Sequence, residues 1–118
     1  MNNWKPIFFG IGFILLAFLW SISIAISYDG NVRIVNATGE SVKTGELEVC
    51  GQKFKIGEIE QGKSFMIHYK VKSDSHYKLA VEFRSGRKLT RELGYVTNGR
   101  DFKDVLTLKE DEVSIEEQ

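Results

Sequence analysis

The strongest constraint in the sequence is a run of twenty residues without a charged side chain, at positions 7–26. Thirteen of the twenty are Leu, Ile or Phe. A helix rises about 1.5 Å per residue, so a run of this length is enough to cross the ~30 Å hydrocarbon core of a bilayer. The run is apolar on all sides, whereas a surface helix of a soluble protein has one polar face. It therefore predicts a transmembrane helix within residues 1–28, flanked by Trp4 and Tyr28 at headgroup depth.

Two fates of this segment remain open. A cleaved signal peptide has an apolar core of about 7–15 residues followed by small residues, and Ser23-Ile24-Ala25 fits such a cleavage site. The apolar run is longer than that, and residues 1–5 contain a single Lys, which favours an uncleaved signal anchor. Basic residues are almost even on the two sides of the run, so charge alone does not set the orientation. Because the N-terminal side is so short, we expect it to stay in the cytoplasm. The rest of the chain is then expected on the periplasmic side of a cell inner membrane.

Past Tyr28 the apolar residues recur with a period of two, which is typical of half-buried β-strands. The breaks between the alternating segments contain residue pairs that favour turns. Short strands separated by such turns predict a mainly β fold, a small antiparallel β-sandwich of immunoglobulin-like or transthyretin-like type over residues 29–109. The alternating segments are residues 32–34, 47–50, 53–56, 65–71 and 77–83, with a closing strand at 105–108. The turn segments are Thr38-Gly39, Cys50-Gly51-Gln52, Gln61-Gly62, Ser73-Asp74-Ser75, Ser85-Gly86 and Asn98-Gly99.

Three details of this region carry further expectations. Arg91 shares a nominal strand face with Leu89, which predicts either an edge strand or a β-bulge. Residues 110–118 contain five acidic residues and no basic one, so they predict a solvated, frayed acidic tail. About four residues separate Tyr28 from the expected strand at Val32, a connection short enough to hold the β domain against the bilayer.

The composition excludes several classes of protein. Sixteen basic residues balance sixteen acidic ones, which argues against a strongly basic nucleic-acid binder and a strongly acidic disordered chain. The aromatic residues beside the lysines fall on the inward faces of the predicted strands, where they cannot stack on bases. A single Cys excludes a disulfide scaffold and a multi-Cys zinc site. No glycine-rich phosphate loop and no GxSxG nucleophile elbow is present.

Four side chains remain as candidates for site chemistry. His68 lies on the solvent face of a predicted strand and His76 borders a turn, so a hairpin would bring them together near Asp74. Two histidines and a carboxylate are ligands that suit a transition metal. Cys50 stands beside a glycine turn, on the side expected to point away from the core, and has no activating partner. We interpret the histidines as solvent-facing and the thiol as structural, and we assign no catalytic, cofactor-binding or metal-binding residue.

Two further patterns have simple structural interpretations. Glu58 and Glu60 lie two residues apart on one strand face, which is typical of a solvated surface and not of paired acid–base groups. The sequence Asn36-Ala37-Thr38 matches the N-glycosylation acceptor pattern. We interpret it as a turn, because Asn and Thr side chains both bond to local backbone groups.

The order of these signals resembles a class of short bacterial envelope proteins in which one N-terminal transmembrane helix precedes a small β domain. The residues that carry the resemblance are the turn at 36–40, the strand at 54–59 followed by Gly62, and the segment 93–99. The turn at 36–40 is also similar to the first turn of transthyretin-like and carboxypeptidase-regulatory-like sandwiches. Both resemblances imply a fold, and neither carries over a catalytic residue.

The sequence therefore favours a non-enzymatic protein, a single-pass membrane-anchored β domain that binds another envelope component in an accessory, assembly or immunity-type role. Its expected partners are the lipid bilayer and a membrane or envelope protein. We expect no nucleic acid, no small-molecule substrate and no cofactor. The alternative is a metal- or thiol-dependent activity centred on His68, His76 and Cys50.

Overall fold

The computed structural model describes residues 27–118, and the predicted transmembrane segment lies outside the described residues. Within that range the chain forms eight β-strands. No helix in residues 27–118 is long and apolar enough to cross a membrane. The strands are β1 (Tyr28–Asn36), β2 (Val42–Val49), β3 (Gln52–Ile56), β4 (Ser64–Val71), β5 (Ser75–Phe83), β6 (Lys88–Val96), β7 (Phe102–Leu108) and β8 (Val113–Glu117).

The strands form two four-stranded sheets that pack face to face. Sheet A has the order β4-β1-β7-β8 and sheet B the order β3-β2-β5-β6. All pairs are antiparallel except β1 and β7, which run parallel. The expectation of a wholly antiparallel fold is therefore wrong for this one pair. Strand β6 ends at the same end of the molecule at which β1 begins. The chain then passes from sheet B to sheet A, so β7 starts beside the start of β1 and runs in the same direction.

The connections define two ends of the molecule. The proximal end is where β1 begins, and it also holds the connections at 50–51, 72–74 and 97–101. The distal end holds the connections at 37–41, 57–63, 84–87 and 109–112. Four of the six predicted turn segments lie wholly in these connections. In the other two, Gln52 and Ser75 are the first residues of β3 and β5 and not turn residues.

The core lies between the two sheets and is built from the alternate side chains that the period of two selected. Its largest fully buried residues are Tyr69 on β4 and Tyr77 and Phe83 on β5. One continuous cluster includes residues from both sheets, for example Ile34 and Leu106 of sheet A and Leu47 of sheet B. Burial of this apolar area is the main force that holds the sheets together.

The first strand begins earlier than the sequence pattern predicts. Residues 28–31 are expected to connect the membrane segment to a strand at Val32, but they belong to β1 and pair with β4. Gly30 has the character of a turn residue, yet it lies directly opposite Tyr69. A Cβ atom at Gly30 would overlap the Tyr69 ring, so the glycine makes room for an aromatic side chain in the core.

Strand β6 has both features that the position of Arg91 in the sequence pattern predicts, an edge location and an irregular register. It is an edge strand, and its register with β5 shifts between the pairs Ser75–Val96 and Tyr77–Leu93. Gly94 lies in this irregular segment with a φ of 73°. The exposed Arg91 donates a hydrogen bond from Nη2 to the carbonyl oxygen of Asp111 at 2.7 Å, which links the edge of sheet B to the turn before β8.

The prediction of a frayed acidic tail is wrong for residues 113–117, which form β8 and pair with β7. Val113 is half-buried against the core, and the Ile115 side chain lies over Gly94 of β6. These two alternate apolar side chains supply the reason for pairing, while the acidic neighbours point to solvent. The many acidic residues of this segment made the alternation of Val113 and Ile115 hard to recognise in the sequence.

The free edge of β4, on the other side of sheet A from β8, is covered by the side chain of Gln52. Gln52 on the edge strand β3 donates from Nε2 to the carbonyl oxygen of Lys70 at 2.6 Å and accepts from the Lys70 N–H at 3.2 Å. The Gln52 amide thus occupies the hydrogen-bonding position of a neighbouring strand on the free edge of β4. An edge covered in this way is a poorer template for aggregation.

Candidate binding surfaces

The two histidines are not brought together. His68 is on the outer face of sheet A and His76 on the outer face of sheet B, so the expectation of a hairpin between them is wrong. His68 Nε2 lies 3.4 Å from Asp29 Oδ1, and His76 Nε2 lies 3.5 Å from Glu92 Oε2. Asp74 instead accepts a hydrogen bond from the Asn98 N–H at 2.8 Å. Within residues 27–118, no group of three His, Cys, Asp or Glu side chains is placed to hold a metal ion.

Cys50 points into the molecule, which corrects the expectation that it faces solvent. Its exposed fraction is 7%, and its Sγ lies 3.3 Å from the carbonyl oxygen of Ser73. Cys50 and Gly51 have φ values of 51° and 69°, as a two-residue hairpin turn between β2 and β3 requires. This left-handed conformation breaks the strand alternation that would have turned the thiol outward. The thiol is therefore buried and within hydrogen-bonding distance of a backbone carbonyl oxygen.

Glu58 and Glu60 are exposed and the Asn36 pattern lies at a turn, as expected, but Glu58 and Glu60 belong to the connection at 57–63 and not to a strand face. Glu58 and Glu60 are not buried, and Glu58 forms an ion pair with Arg84. Asn36 is fully buried, and its Nδ2 donates to the carbonyl oxygens of Glu40 at 2.8 Å and Ile59 at 2.9 Å. Both N–H bonds of the amide are thus used inside the fold, which leaves none for attachment of a glycan in the folded domain.

A groove crosses the outer face of sheet B, and the register of four strands creates it. Glu46 on β2 lies between Lys55 on β3 and Ala80 on β5, and Thr90 on β6 follows Ala80. The short side chains of Ala80 and Thr90 leave a depression of about 550 Å³ between the longer ones. The wall includes Thr44, Lys53, the half-buried Phe54, Glu82 and Lys88.

The long side chains around this groove have not paired with one another. Lys53, Lys55 and Lys88 supply three positive charges, and Glu46 and Glu82 supply two negative ones. Glu46 is the cross-strand neighbour of Lys55, and Glu82 that of Lys88. Nevertheless, none of these five side chains takes part in an ion pair within residues 27–118. A partner that offers both charge signs would find them available.

The outer face of sheet A differs from that of sheet B. Arg33 lies beside Met66 on one neighbouring strand and Val105 on the other, and Lys103 lies beside Asn31. Met66, on the edge strand β4, is 52% exposed, a large fraction for an apolar side chain. A smaller depression of about 280 Å³ lies between these side chains, and Asp104 and Gln118 complete its lining.

A chain of polar groups is buried at the proximal end, between the sheets. The Tyr77 hydroxyl donates to Asp104 Oδ2 at 2.5 Å, and the Tyr69 and Tyr77 hydroxyl oxygens are 2.7 Å apart. Burial raises the pKa of Asp104 above its ordinary value and raises the pKa of Tyr69 to about 12. The pKa of Tyr77 is also raised, first by burial and then by its hydrogen bond to Asp104. These groups link β4, β5 and β7, and Asp104 also lines the depression on the outer face of sheet A.

The sequence contained little signal for either surface. Ala80, Thr90 and Glu46 lie on three different strands, and only the observed register shows that they are neighbours. The alternation over residues 77–83 did predict that Ala80 points outward. Asp104 was missed because a charged residue in a strand is usually exposed, and the apolar residues around it gave no contrary pattern.

No protein-family model and no curated protein matches the sequence. Among solved structures, the chain is similar to the NMR structure of the protein from Eubacterium rectale, with a TM-score of 0.56 and 17% sequence identity. The match covers 75% of this chain and 87% of that chain. At this identity the likeness shows a common fold, and it assigns no activity, ligand or partner.

Proposed function

We propose that the chain is a single-pass membrane-anchored β domain that binds another envelope protein and has no catalytic activity of its own. In this proposal residues 7–26 form an uncleaved anchor in the cell inner membrane, and residues 27–118 lie on its periplasmic side. The uncharged run and its length support the anchor. The chain would then belong with the short bacterial envelope proteins that it resembles.

The observation that carries the binding role is the groove on sheet B. It combines an uncharged floor at Ala80 and Thr90 with Lys and Glu side chains that have no ion-pair partner within residues 27–118. Small-molecule sites are usually enclosed and mostly apolar, whereas a strip of alternating charge on an open sheet suits an extended protein segment. We therefore assign the groove to a protein partner and not to a substrate.

We infer that the fold is a β-sandwich of the transthyretin-like type. Two sheets of four strands each support this choice, because constant-type immunoglobulin domains have seven strands and variable-type domains have nine. The buried Asn36 turn at 36–40, which resembles the first turn of transthyretin-like sandwiches, supports it further.

A photo-crosslinking amino acid at position 90 tests the binding role in intact cells. Thr90 is exposed on the groove floor, so the reactive group would contact whatever lies there. We expect one discrete crosslinked product that contains the full-length chain and an envelope protein. The matched control places the same amino acid at Glu112, an exposed residue in the β7–β8 turn at the distal end.

A second variant makes the result specific to the groove. Ala80→Trp fills the floor from an exposed position, so it blocks the groove without disturbing the core. The crosslink from position 90 should then disappear while the protein level stays the same. Equal products from positions 90 and 112, or a product that persists in the Ala80→Trp variant, would contradict the assignment of the groove.

The orientation of the anchor is tested separately by a reporter fused after Gln118. We expect a reporter that requires the periplasm to be active and a cytoplasmic reporter to be inactive. The reverse pattern would contradict the proposed topology. Mass spectrometry of the mature chain distinguishes the anchor from a cleaved signal peptide, because cleavage after Ala25 would remove the first 25 residues.

A further inference from the structure

The outer face of sheet A has an excess of positive charge near an exposed apolar side chain. Arg33 on β1 and Lys103 on β7 are both exposed and flank the middle of this face. Met66 lies directly beside Arg33 and is 52% exposed. We call these three residues, with Asn31 and His68 next to them, the basic face.

The acidic groups near the basic face are buried, already paired or distant. Asp104 lines the same depression as Arg33 and Lys103, but its carboxyl group is buried and accepts a hydrogen bond from Tyr77. Asp29 is already paired with Lys70 Nζ at 2.6 Å and with His68. Glu116 lies in the same row as Arg33 but on β8, two strands away, which is about 10 Å. Arg33 and Lys103 form no ion pair within the described range, residues 27–118.

The position of this face relative to the anchor decides what it meets. Strand β1 is an inner strand of sheet A, and only Ser27 separates it from the last residue of the uncharged run. One extended residue spans at most about 3.6 Å, so an anchor at residues 7–26 would hold the proximal end of β1, and with it sheet A, close to the bilayer. The groove of sheet B is on the opposite side of the molecule and would face away.

We propose that the basic face lies on the anionic lipid headgroups of this membrane, with Met66 inserted among them. The inference rests on the proposed anchoring. Arg33 and Lys103 bind headgroup phosphates, Met66 buries apolar surface at the interface, and the groove on sheet B is presented outward to its protein partner. Each basic residue close to an anionic membrane surface strengthens the binding equilibrium about fivefold, which corresponds to about 1 kcal/mol per residue.

Fluorescence quenching in reconstituted vesicles tests this orientation with the full-length chain. A fluorophore is attached to Met66→Cys on the basic face and, in a second variant, to Thr90→Cys on sheet B. Cys50 is buried, and the native chain taken through the same labelling gives the background. The vesicles contain a headgroup-nitroxide lipid in either pure phosphatidylcholine or a mixture with phosphatidylglycerol.

We expect strong quenching at position 66 and weak quenching at position 90, with the difference largest in the phosphatidylglycerol vesicles. The double change Arg33→Gln with Lys103→Gln should weaken the binding of the basic face to the headgroups by about fivefold for each cation removed. The quenching at position 66 should fall accordingly. Lys43→Gln with Lys63→Gln removes the same charge from exposed residues outside the basic face and should leave the quenching unchanged.

Each outcome bears differently on the lipid contact and on the anchor. If the chain floats with the vesicles but positions 66 and 90 are quenched equally, the basic face does not bind lipid while the anchor stands. The same conclusion follows if quenching at position 66 is identical in the two lipid mixtures. If the chain does not float with the vesicles at all, both the anchor and the lipid-bound face are overturned.

Discussion

The two ends of the interior hold their buried polar groups in different ways. At the distal end, all four hydrogen-bonding positions of the Asn36 amide are used: two donors reach backbone carbonyls, and Oδ1 accepts from the Thr38 N–H and hydroxyl. At the proximal end, Tyr69, Tyr77 and Asp104 form a chain that ends in a carboxyl group. Asn36 fastens two connections to each other, whereas Tyr77 and Asp104 fasten sheet B to sheet A.

The difference shows two solutions to the same problem. A buried polar group is tolerated when its hydrogen bonds are made, and an amide is neutral at every pH. A buried carboxyl group has a second requirement, because burial penalises its ionised form. The distal cluster should therefore contribute a constant stability, and the proximal cluster a stability that depends on pH.

The largest effect is expected at the distal end, from Asn36→Ala. The change removes all four hydrogen bonds of the buried amide, including the one that the Thr38 N–H donates to it, and opens a cavity, so it should lower the free energy of unfolding by about 3 kcal/mol. The measurement is urea denaturation of the full-length chain in a mild detergent, followed by far-ultraviolet circular dichroism. Thr38→Val, which removes one hydroxyl group, is the matched control and should cost clearly less. Equal costs would mean that the amide does not organise the connections.

At the proximal end, Gly30→Ala tests whether the Tyr69 ring must occupy its observed place. The new methyl group would overlap the ring, and we expect a loss of about 2 kcal/mol by the same denaturation measurement. In a Tyr69→Leu background the ring is gone, and the added cost of Gly30→Ala should be small. A full cost in that background would contradict the packing argument.

The sequence predicted one of these ends better than the other. Asn36 and Thr38 fall beside a glycine where turn chemistry is recognisable, although nothing in the sequence showed that the amide is buried. The proximal cluster was not predicted. Its residues Tyr69, Tyr77 and Asp104 lie on three strands of two different sheets, and they become neighbours only when the sheets pack together. Residues 29–31 resemble a turn in the sequence because Gly30 favours turns. The reason for the glycine is the ring of Tyr69 opposite it, which is distant in the sequence. Local periodicity predicts strands well, but pairing across the two sheets is not encoded locally.

The hydroxyl groups of the proximal chain should differ in importance. Tyr77→Phe removes the only hydroxyl group bonded to Asp104 within residues 27–118 and also leaves the Tyr69 hydroxyl unpaired, so we expect a loss of about 1.5 kcal/mol. Tyr69→Phe leaves the bond between Tyr77 and Asp104 in place and should cost about half as much. The comparison is made by urea denaturation at neutral pH. If Tyr69→Phe were the more costly change, the bond to Asp104 would not be the important one.

The smallest effect is the pH dependence that separates the two ends. Because burial raises the pKa of Asp104 in the folded protein, folding takes up a proton between its ordinary pKa and the raised one. The stabilisation from this proton uptake is therefore complete below the ordinary pKa, and it is lost as the pH rises through the folded pKa. Asp29 acts in the opposite direction, since its hydrogen bond to Lys70 lowers its pKa and its contribution is lost in acid.

Asp104→Asn isolates the proximal contribution, because an amide keeps the size of the carboxyl group and a partner for Tyr77 but does not titrate. Asp29 and every other group are shared by the two proteins and cancel in the difference between their free energies of unfolding. On going from neutral pH to about pH 4, near the ordinary pKa of an Asp carboxyl group, the native chain should gain stability relative to Asp104→Asn. The difference between the native chain and Asn36→Ala should stay constant over the same range. A difference that is flat with pH for Asp104→Asn would show that the carboxyl group at the proximal end is as indifferent to protons as the amide at the distal end.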